Sequence, residues 1–426
     1  MDVSLIFNIV PKLLPAFMIG IVALVGLLIQ KKSFDDTIRG TVKTMAGMLI
    51  MFIAVDVLVA SIEPIAALFG KVYSIEGGGV VFDWIGYLGT YSIEIVLVMV
   101  FGFVVNLLLA RFTKMKYIFL TGHILFWYAY TVVGALADGG VITGWVLVAL
   151  GSVILGLIVT ILPALTAPFI EKATGNRDWV IGHSTIGLAW LQAVVGKLFG
   201  DPSKSAEDIN FPKGLNWMKE MVISTSVIMF LLYLVFGFVA GPQFAADTFV
   251  GGTQWLWYIW IIFQGIQFGA GLVVLLTGVR MMLAEIVPAF RGIALKVVPE
   301  AVPALDCPMI FPYGPTSLAI GFPIAMIAQL ITIVIFGLAG FKFVLVPMVV
   351  AAFFDAGPGA VLANVTGGRR GVVIGAIVAG VVMVFLQAFG MFFVQNTAAG
   401  FVQLFGGNDV GLIAIVVGGI ARLLGF

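Results

Sequence analysis

The sequence predicts an all-α polytopic membrane protein with about 11 transmembrane helices and two re-entrant segments. Three observations lead there. Charged residues make up only 10% of the 426 residues and hydrophobic ones 62%, whereas a soluble domain is about 25% charged. The apolar residues fall in long runs such as Tyr91–Ala110 and Gly371–Val394, and about 20 such residues span a hydrocarbon core of about 30 Å. Lysines and arginines recur at alternate gaps between those runs, as they do when one side of the membrane collects the positive loops.

In order, spans are expected at 13–30, 41–62, 89–110, 117–137, 143–170, 221–241, 254–278, 316–338, 343–364, 371–394 and 410–425, forming one membrane-embedded domain over 1–426. Met1-Asp2-Val3 lacks a basic leader and no small-residue cleavage site follows the first run, so that run reads as a retained span. Lys31, Lys32, Arg39 and Lys43 follow the first span, and Arg111, Lys114 and Lys116 follow the third. Lys172 and Arg177 follow the fifth, Arg280, Arg291 and Lys296 the seventh, and Arg369-Arg370 the ninth, while Arg422 closes the last. The opposite loops are nearly free of positive charge. This alternation places the N-terminus outside and the C-terminus in the cytoplasm.

Two apolar stretches break the alternation. Segments 179–199 and 297–313 are each flanked on both sides by groups that belong in the cytoplasm, so a full crossing by either would invert every later loop. Both therefore read as re-entrant. The first carries Gly182, Gly187 and Gly196, and the second Pro299, Pro303, Pro308 and Pro312. Irregular backbone survives at membrane depth only where protein or a water-filled cavity satisfies it, and interrupted segments point to a transporter's binding site. The polar stretch 200–220, with Asp201-Pro202, Phe211-Pro212 and Gly214, reads as a cytoplasmic connector with room for one short amphipathic helix.

The net charge of +1 gives no basic surface for nucleic acid, and a single cysteine, Cys307, excludes internal disulfides and multi-cysteine metal sites. Both histidines share a local frame, Thr121-Gly122-His123 and Ile181-Gly182-His183. Neither has a carboxylate or thiol at ligand spacing in the sequence, so no metal and no cofactor are expected. Each is either a histidine bonded to backbone within the bundle or a group that exchanges hydrogen bonds with a sugar hydroxyl. Asp306, in Leu305-Asp306-Cys307-Pro308, lies in apolar surroundings where a carboxylate must face protein, water or ligand. It fits an N-cap, and it also fits a general base for a substrate hydroxyl. Asp56, Glu94 and Asp355 are further intramembrane acids, the last just before a break expected at Gly357-Pro358-Gly359. Trp127 follows His123 by four residues and so shares its helix face, where it is placed to stack on a sugar ring.

On these motifs the chain resembles the membrane component (IIC) of the ascorbate-type phosphotransferase system, in the galactitol/ascorbate superfamily. The residues that carry the resemblance are Gly40-Thr41-Val42-Lys43-Thr44 with Gly47, Leu120–Phe126, Ile181-Gly182-His183, Gly278-Val279-Arg280-Met281 with Ala284-Glu285, and Ala304-Leu305-Asp306-Cys307. The resemblance implies a homodimeric permease of the bacterial inner membrane, surrounded by lipid, with a dimerising domain and a mobile core that moves like an elevator. It implies L-ascorbate or a related sugar as substrate, and a separate IIB protein whose phosphocysteine phosphorylates that sugar. By motif, His123, His183 and Asp306 match ligand-binding positions, with Asp306 as the catalytic base; Trp127, Ser184, Ala54 and Asp56 stand at further ligand-binding positions.

The chain departs from that pattern where Trp127 and Ser184 replace glutamines, and where Ile53-Ala54-Val55-Asp56 replaces a glycine-rich stretch. Two other functions compete with the permease reading. One is a proton or sodium symporter with Asp56 and Glu94 as its ion site, and the other is a sensor that binds sugar without moving it.

Overall fold

The computed structural model describes residues 13, 16–17, 19–21, 23–73, 84–209 and 213–426. Residues 1–12, on which the reading of a retained first span rests, lie outside this set, as do Phe211-Pro212 of the connector. Among the described residues, seven helices are long and apolar enough to cross a bilayer. The chain is an all-helical membrane protein to which one small parallel sheet is added. The described residues of the first expected span at 13, 16–17, 19–21 and 23–29 are helical.

The helices sort into two bodies. The first holds α1 (Phe34–Tyr73), α6 (Met221–Ala240), α7 (Pro242–Phe249) and α8 (Gln254–Val297). The second holds α2 (Trp84–Phe112), α3 (Gly122–Ala137), α4 (Gly144–Thr174), α5 (Ile186–Phe199), α9 (Pro315–Leu338), α10 (Gly357–Phe393), α11 (Ala399–Phe405) and α12 (Asp409–Leu423). Packing is dense within each body and sparse between them.

The first body turns on one close crossing. A Cβ on Gly47 of α1 would lie 2.7 Å from the Gly278 carbonyl oxygen of α8, and one on Gly278 would lie 2.7 Å from the Gly47 carbonyl oxygen. Only glycine at both positions lets the two backbones meet. Farther along the same pair, Lys43 Nζ lies 3.2 Å from Glu285 Oε1.

In the second body the helix written α10 is two arms. Gly368 has φ 57° and ψ −160°, outside the helical region. A Cβ on Gly371 would lie 2.6 Å from the carbonyl oxygen of Ala363, whereas eight residues of straight helix rise about 12 Å. The arms 357–367 and 369–393 therefore fold back on each other at Arg369-Arg370, where the sequence places a loop.

The span expected at 343–364 is not a continuous helix. The chain stays extended to Met348, forms a helical turn over Val349–Ala351, and widens to a π-turn over Ala352–Ala356 before α10. Pro347 withholds a backbone donor here. Three buried glutamines satisfy the extended backbone instead: Gln329 Oε1 accepts from Met348 N at 2.7 Å, Gln387 Nε2 donates to Val346 O at 3.0 Å, and Gln403 Nε2 donates to Val344 O.

The sheet consists of β1 (Tyr117–Phe119), β2 (Val180–Ile181) and β3 (Val302–Leu305), all parallel, in the order β1-β3-β2. Phe119 pairs with Ala304, and Ile181 with Leu305. Pro303 is tolerated in the middle strand because its missing donor faces the β2 side, where pairing starts only at Ala304. Gly182 is needed at the end of β2, since a Cβ there would lie 2.6 Å from the Ala304 carbonyl oxygen. The free edge of β1 is closed by a side chain: Asn106 of α2 donates to Tyr117 O at 3.1 Å and accepts from Phe119 N at 3.1 Å. Its amide also donates to Thr160 Oγ1 at 2.7 Å.

The connector is tied to the second body. Glu207 accepts from the N–H groups of Thr316 and Ser317 at 3.0 and 2.7 Å, capping α9 from another part of the chain. A 3-10 helix follows at Lys213–Lys219.

Replacing Asn106 by leucine leaves a strand donor and acceptor unpaired in apolar surroundings, at about 1–3 kcal/mol per group. The apparent unfolding midpoint of Asn106→Leu in detergent is expected to drop by several degrees. An unchanged midpoint would show that the edge is satisfied without the amide.

Candidate functional site

Each strand of the sheet runs into a candidate residue. β1 leads through Leu120-Thr121 to Gly122-His123, β2 to Gly182-His183, and β3 directly to Asp306. Because the strands are parallel, their carboxyl ends open on one side, which is where parallel sheets receive ligands. Three short helices start beside them: α3 at Gly122, α5 at Ile186 and α12 at Asp409. Helix N-termini carry unpaired N–H groups and a positive end, so they support carboxylates that apolar surroundings would otherwise reject.

Two carboxylates take a backbone donor of this kind, and a third relies on side chains. Asp306 accepts from Cys307 N at 2.8 Å and caps the 3-10 helix Cys307–Tyr313. Asp409 accepts from Gly187 N in the first turn of α5 at 2.8 Å and from the Tyr128 hydroxyl at 2.9 Å. Asp355, in the π-turn, accepts from Asn408 Nδ2 at 2.6 Å and from Ser184 Oγ at 3.2 Å. The backbone of the same turn is met by Thr185 Oγ1, which donates to Asp355 O at 2.6 Å.

His183 stands between two acids. Its Nε2 lies 3.8 Å from Asp306 Oδ1, and its Nδ1 lies 3.6 Å from Asp355 Oδ1 and 3.3 Å from Ser184 Oγ. Ser184 gives its hydroxyl proton to Asp355 and turns its oxygen to the Nδ1, while the Nε2 faces Asp306. His123 completes the group, with Nε2 4.0 Å from Asp306 Oδ2 and its ring centroid 6.1 Å from that of His183. The His123 Nδ1 is buried without a hydrogen-bond partner among the described residues.

These groups line a cavity of about 100 Å³ together with Trp127, Tyr128, Phe354, Phe401 and Asn408. The His183 Nε2 and the Asp306 carboxylate converge there, so the site offers hydrogen-bonding groups to clustered hydroxyls. The same three side chains, His123, His183 and Asp306, place one ligand atom each within 4.8 Å of one another. That set fits a divalent cation in residue type. The expectation of no metal rested on sequence spacing, and the fold supplies through space the carboxylate that the spacing lacks.

Of the residues expected at the site, His123, Trp127, His183, Ser184 and Asp306 line the cavity. Ala54 and Asp56 do not; Met51 and Val55, one turn apart on α1, face it instead. One face of the Trp127 indole is occupied by Phe401, with ring centroids 4.5 Å apart and planes at 18°. Ser184 hydrogen-bonds Asp355, so its hydroxyl serves His183 as well as the cavity. Sequence reading overlooked Asn408, Asp409 and Tyr128. The first two follow Gly406-Gly407 directly before an apolar helix, which is the signature of a capped helix start.

A family model described as the sugar-specific permease component of the phosphotransferase system (EIIC-GAT) matches residues 8–409. The ascorbate-specific EIIC component of Mycoplasma pneumoniae is 27% identical over 442 aligned positions, covering 90% of this chain. The chain spans 66% of the length of that relative.

Asp355 holds His183 without lining up on Asp306 itself, and hydrogen bonds to charged groups contribute about 1.5–3 kcal/mol. Asp355→Asn is expected to weaken sugar binding to the folded protein about tenfold or more, read by titration calorimetry. A change under about twofold would remove Asp355 from the role of orienting the imidazole.

Proposed function

The chain belongs to the family of sugar-specific permease components of the phosphotransferase system, and on that premise we propose that it carries L-ascorbate or a closely related sugar or polyol across the bacterial inner membrane. A separate IIB protein then phosphorylates the sugar at the cytoplasmic face. The second body moves as an elevator against the first, and the first mediates a homodimer. The N-terminus lies outside and the C-terminus inside.

One observation supports this reading above the rest. Among the described residues, every polar residue of the cavity belongs to the second body, whereas the first contributes only Met51, Val55, Leu275, Leu276 and Val279. A ligand held by one body against an apolar wall of the other can be carried past that wall without breaking hydrogen bonds to it. Substitution of glutamines by Trp127 and Ser184 favours a ligand that turns fewer polar groups toward α3, because unpaired polar groups on a ligand reduce discrimination steeply.

In the chemical step, a sugar hydroxyl attacks the phosphorus of the donor's phosphocysteine. The P–S bond breaks as the P–O bond forms, the thiolate leaves, and the hydroxyl proton passes to Asp306. His123 and His183 hold the neighbouring hydroxyls. The ion-coupled reading draws no support from the cavity, since neither Asp56 nor Glu94 lines it.

Uptake into vesicles is expected to require phosphoenolpyruvate and the IIB protein and to yield phosphorylated sugar. Uptake that persists without them, delivers unmodified sugar and stops when ion gradients are collapsed would establish a symporter instead. Asp306→Asn is expected to lower the phosphorylation rate by about 10²–10⁴-fold, a far larger effect than its effect on binding.

A further inference from the structure

We propose that Arg280 binds the incoming phosphoryl group, so that the first body supplies the cation and the second body the base for phosphoryl transfer. The inference rests on the permease reading above and assigns a part of the site that the sugar cavity does not contain. A second cavity of about 470 Å³ adjoins the first. The two share Asp306, Leu276, Val279 and Phe354. Asp306 is therefore reachable from both sides of an apolar constriction, with the sugar site on one side and an entrance on the other.

Arg280 and Glu220 are the charged residues that line this entrance besides Asp306. Arg280 follows the Gly47–Gly278 crossing by two residues, and its place after the seventh expected span puts it at the cytoplasmic end, where a soluble donor arrives. Arg280 makes no ion pair with any described residue, while Glu285, farther along the same helix, is engaged by Lys43 at 3.2 Å. A guanidinium left unpaired in a partly apolar entrance suits the planar, multi-oxygen face of a phosphoryl group. Phosphoryl transfer is accelerated chiefly by positioning and by neutralising charge on the transferring oxygens.

The placement on two bodies has a mechanistic consequence. Asp306 travels with the sugar, whereas Arg280 stays on the wall, so base and cation come together only when the carrying body faces the cytoplasm. The donor's phosphorus meets the sugar hydroxyl at the constriction, Arg280 holds the phosphoryl oxygens, the hydroxyl proton goes to Asp306, and the donor thiolate departs. Glu220 opposes this with a like charge at the rim and tunes the approach of the donor.

The test uses full-length protein in nanodiscs, L-ascorbate as the sugar, and a phosphocysteine-bearing IIB donor. Arg280→Gln is expected to bind ascorbate within about twofold of wild type and to transfer phosphoryl about 10²–10³-fold more slowly. Arg280→Lys should recover part of the rate, and Glu220→Gln should lower the KM for the donor. If Arg280→Gln transfers at the wild-type rate, or loses sugar binding in step with transfer, the proposal is overturned while the permease reading stands. If wild type binds ascorbate but accepts phosphoryl from no donor, both fall. A misfolded Arg280→Gln would show in its elution profile, and the Arg280→Lys and Glu220→Gln rates then decide: with neither altered, the assignment is wrong.

Discussion

The pairing of Val302–Leu305 with strands on both its sides is the interaction on which the site depends. Backbone that is not helical at membrane depth must find partners within the protein. Here three short pieces of chain satisfy one another, and Asn106 supplies the missing neighbour at one edge. The reward is positional. Two histidines and an aspartate far apart in sequence, His123, His183 and Asp306, emerge from adjacent strand ends and meet within 4.8 Å.

Much of this was legible in the sequence, and the reason is electrostatic. The alternation of basic loops singled out 179–199 and 297–313, and those segments hold His183 and Asp306. The repeated Gly-His frame drew His123 into the same argument. The strands were not legible, because apolar pieces of two to four residues carry no periodicity that separates them from helix. Asp355 stood out as an intramembrane acid, yet its bond to the Ser184–His183 pair depends on a π-turn, which widens the helix without a sequence marker. Ala54 and Asp56 were expected at the site on α1, and the residues of that helix that line the cavity are Met51 and Val55, one turn apart.

The buried acids explain why the second body can act as a unit. Asp306, Asp355 and Asp409 each take their donors from within that body: from Cys307, from Ser184 and Asn408, and from Gly187 and Tyr128. Among the described residues, none is held by a hydrogen bond to the apolar wall. The wall in turn has a rigid crossing at Gly47 and Gly278 and offers the cavity only side chains that make no directional bonds. In the elevator motion proposed above, sliding between the bodies would exchange one set of dispersion contacts for another.

The strand order has a consequence for biogenesis. β3 lies between β1 and β2 in space but follows both in the chain. At a synthesis rate of about 5–20 residues per second, roughly six to twenty-four seconds separate the emergence of Ile181 from that of Val302. Throughout that interval the ribosome has delivered both outer strands and not the one that joins them. Asn106 is already present to hold the β1 edge, while Val180-Ile181 must wait in the insertion machinery or in water. The binding site is thus a late product of translation, and a nascent chain stalled before residue 302 contains both histidines but no pocket.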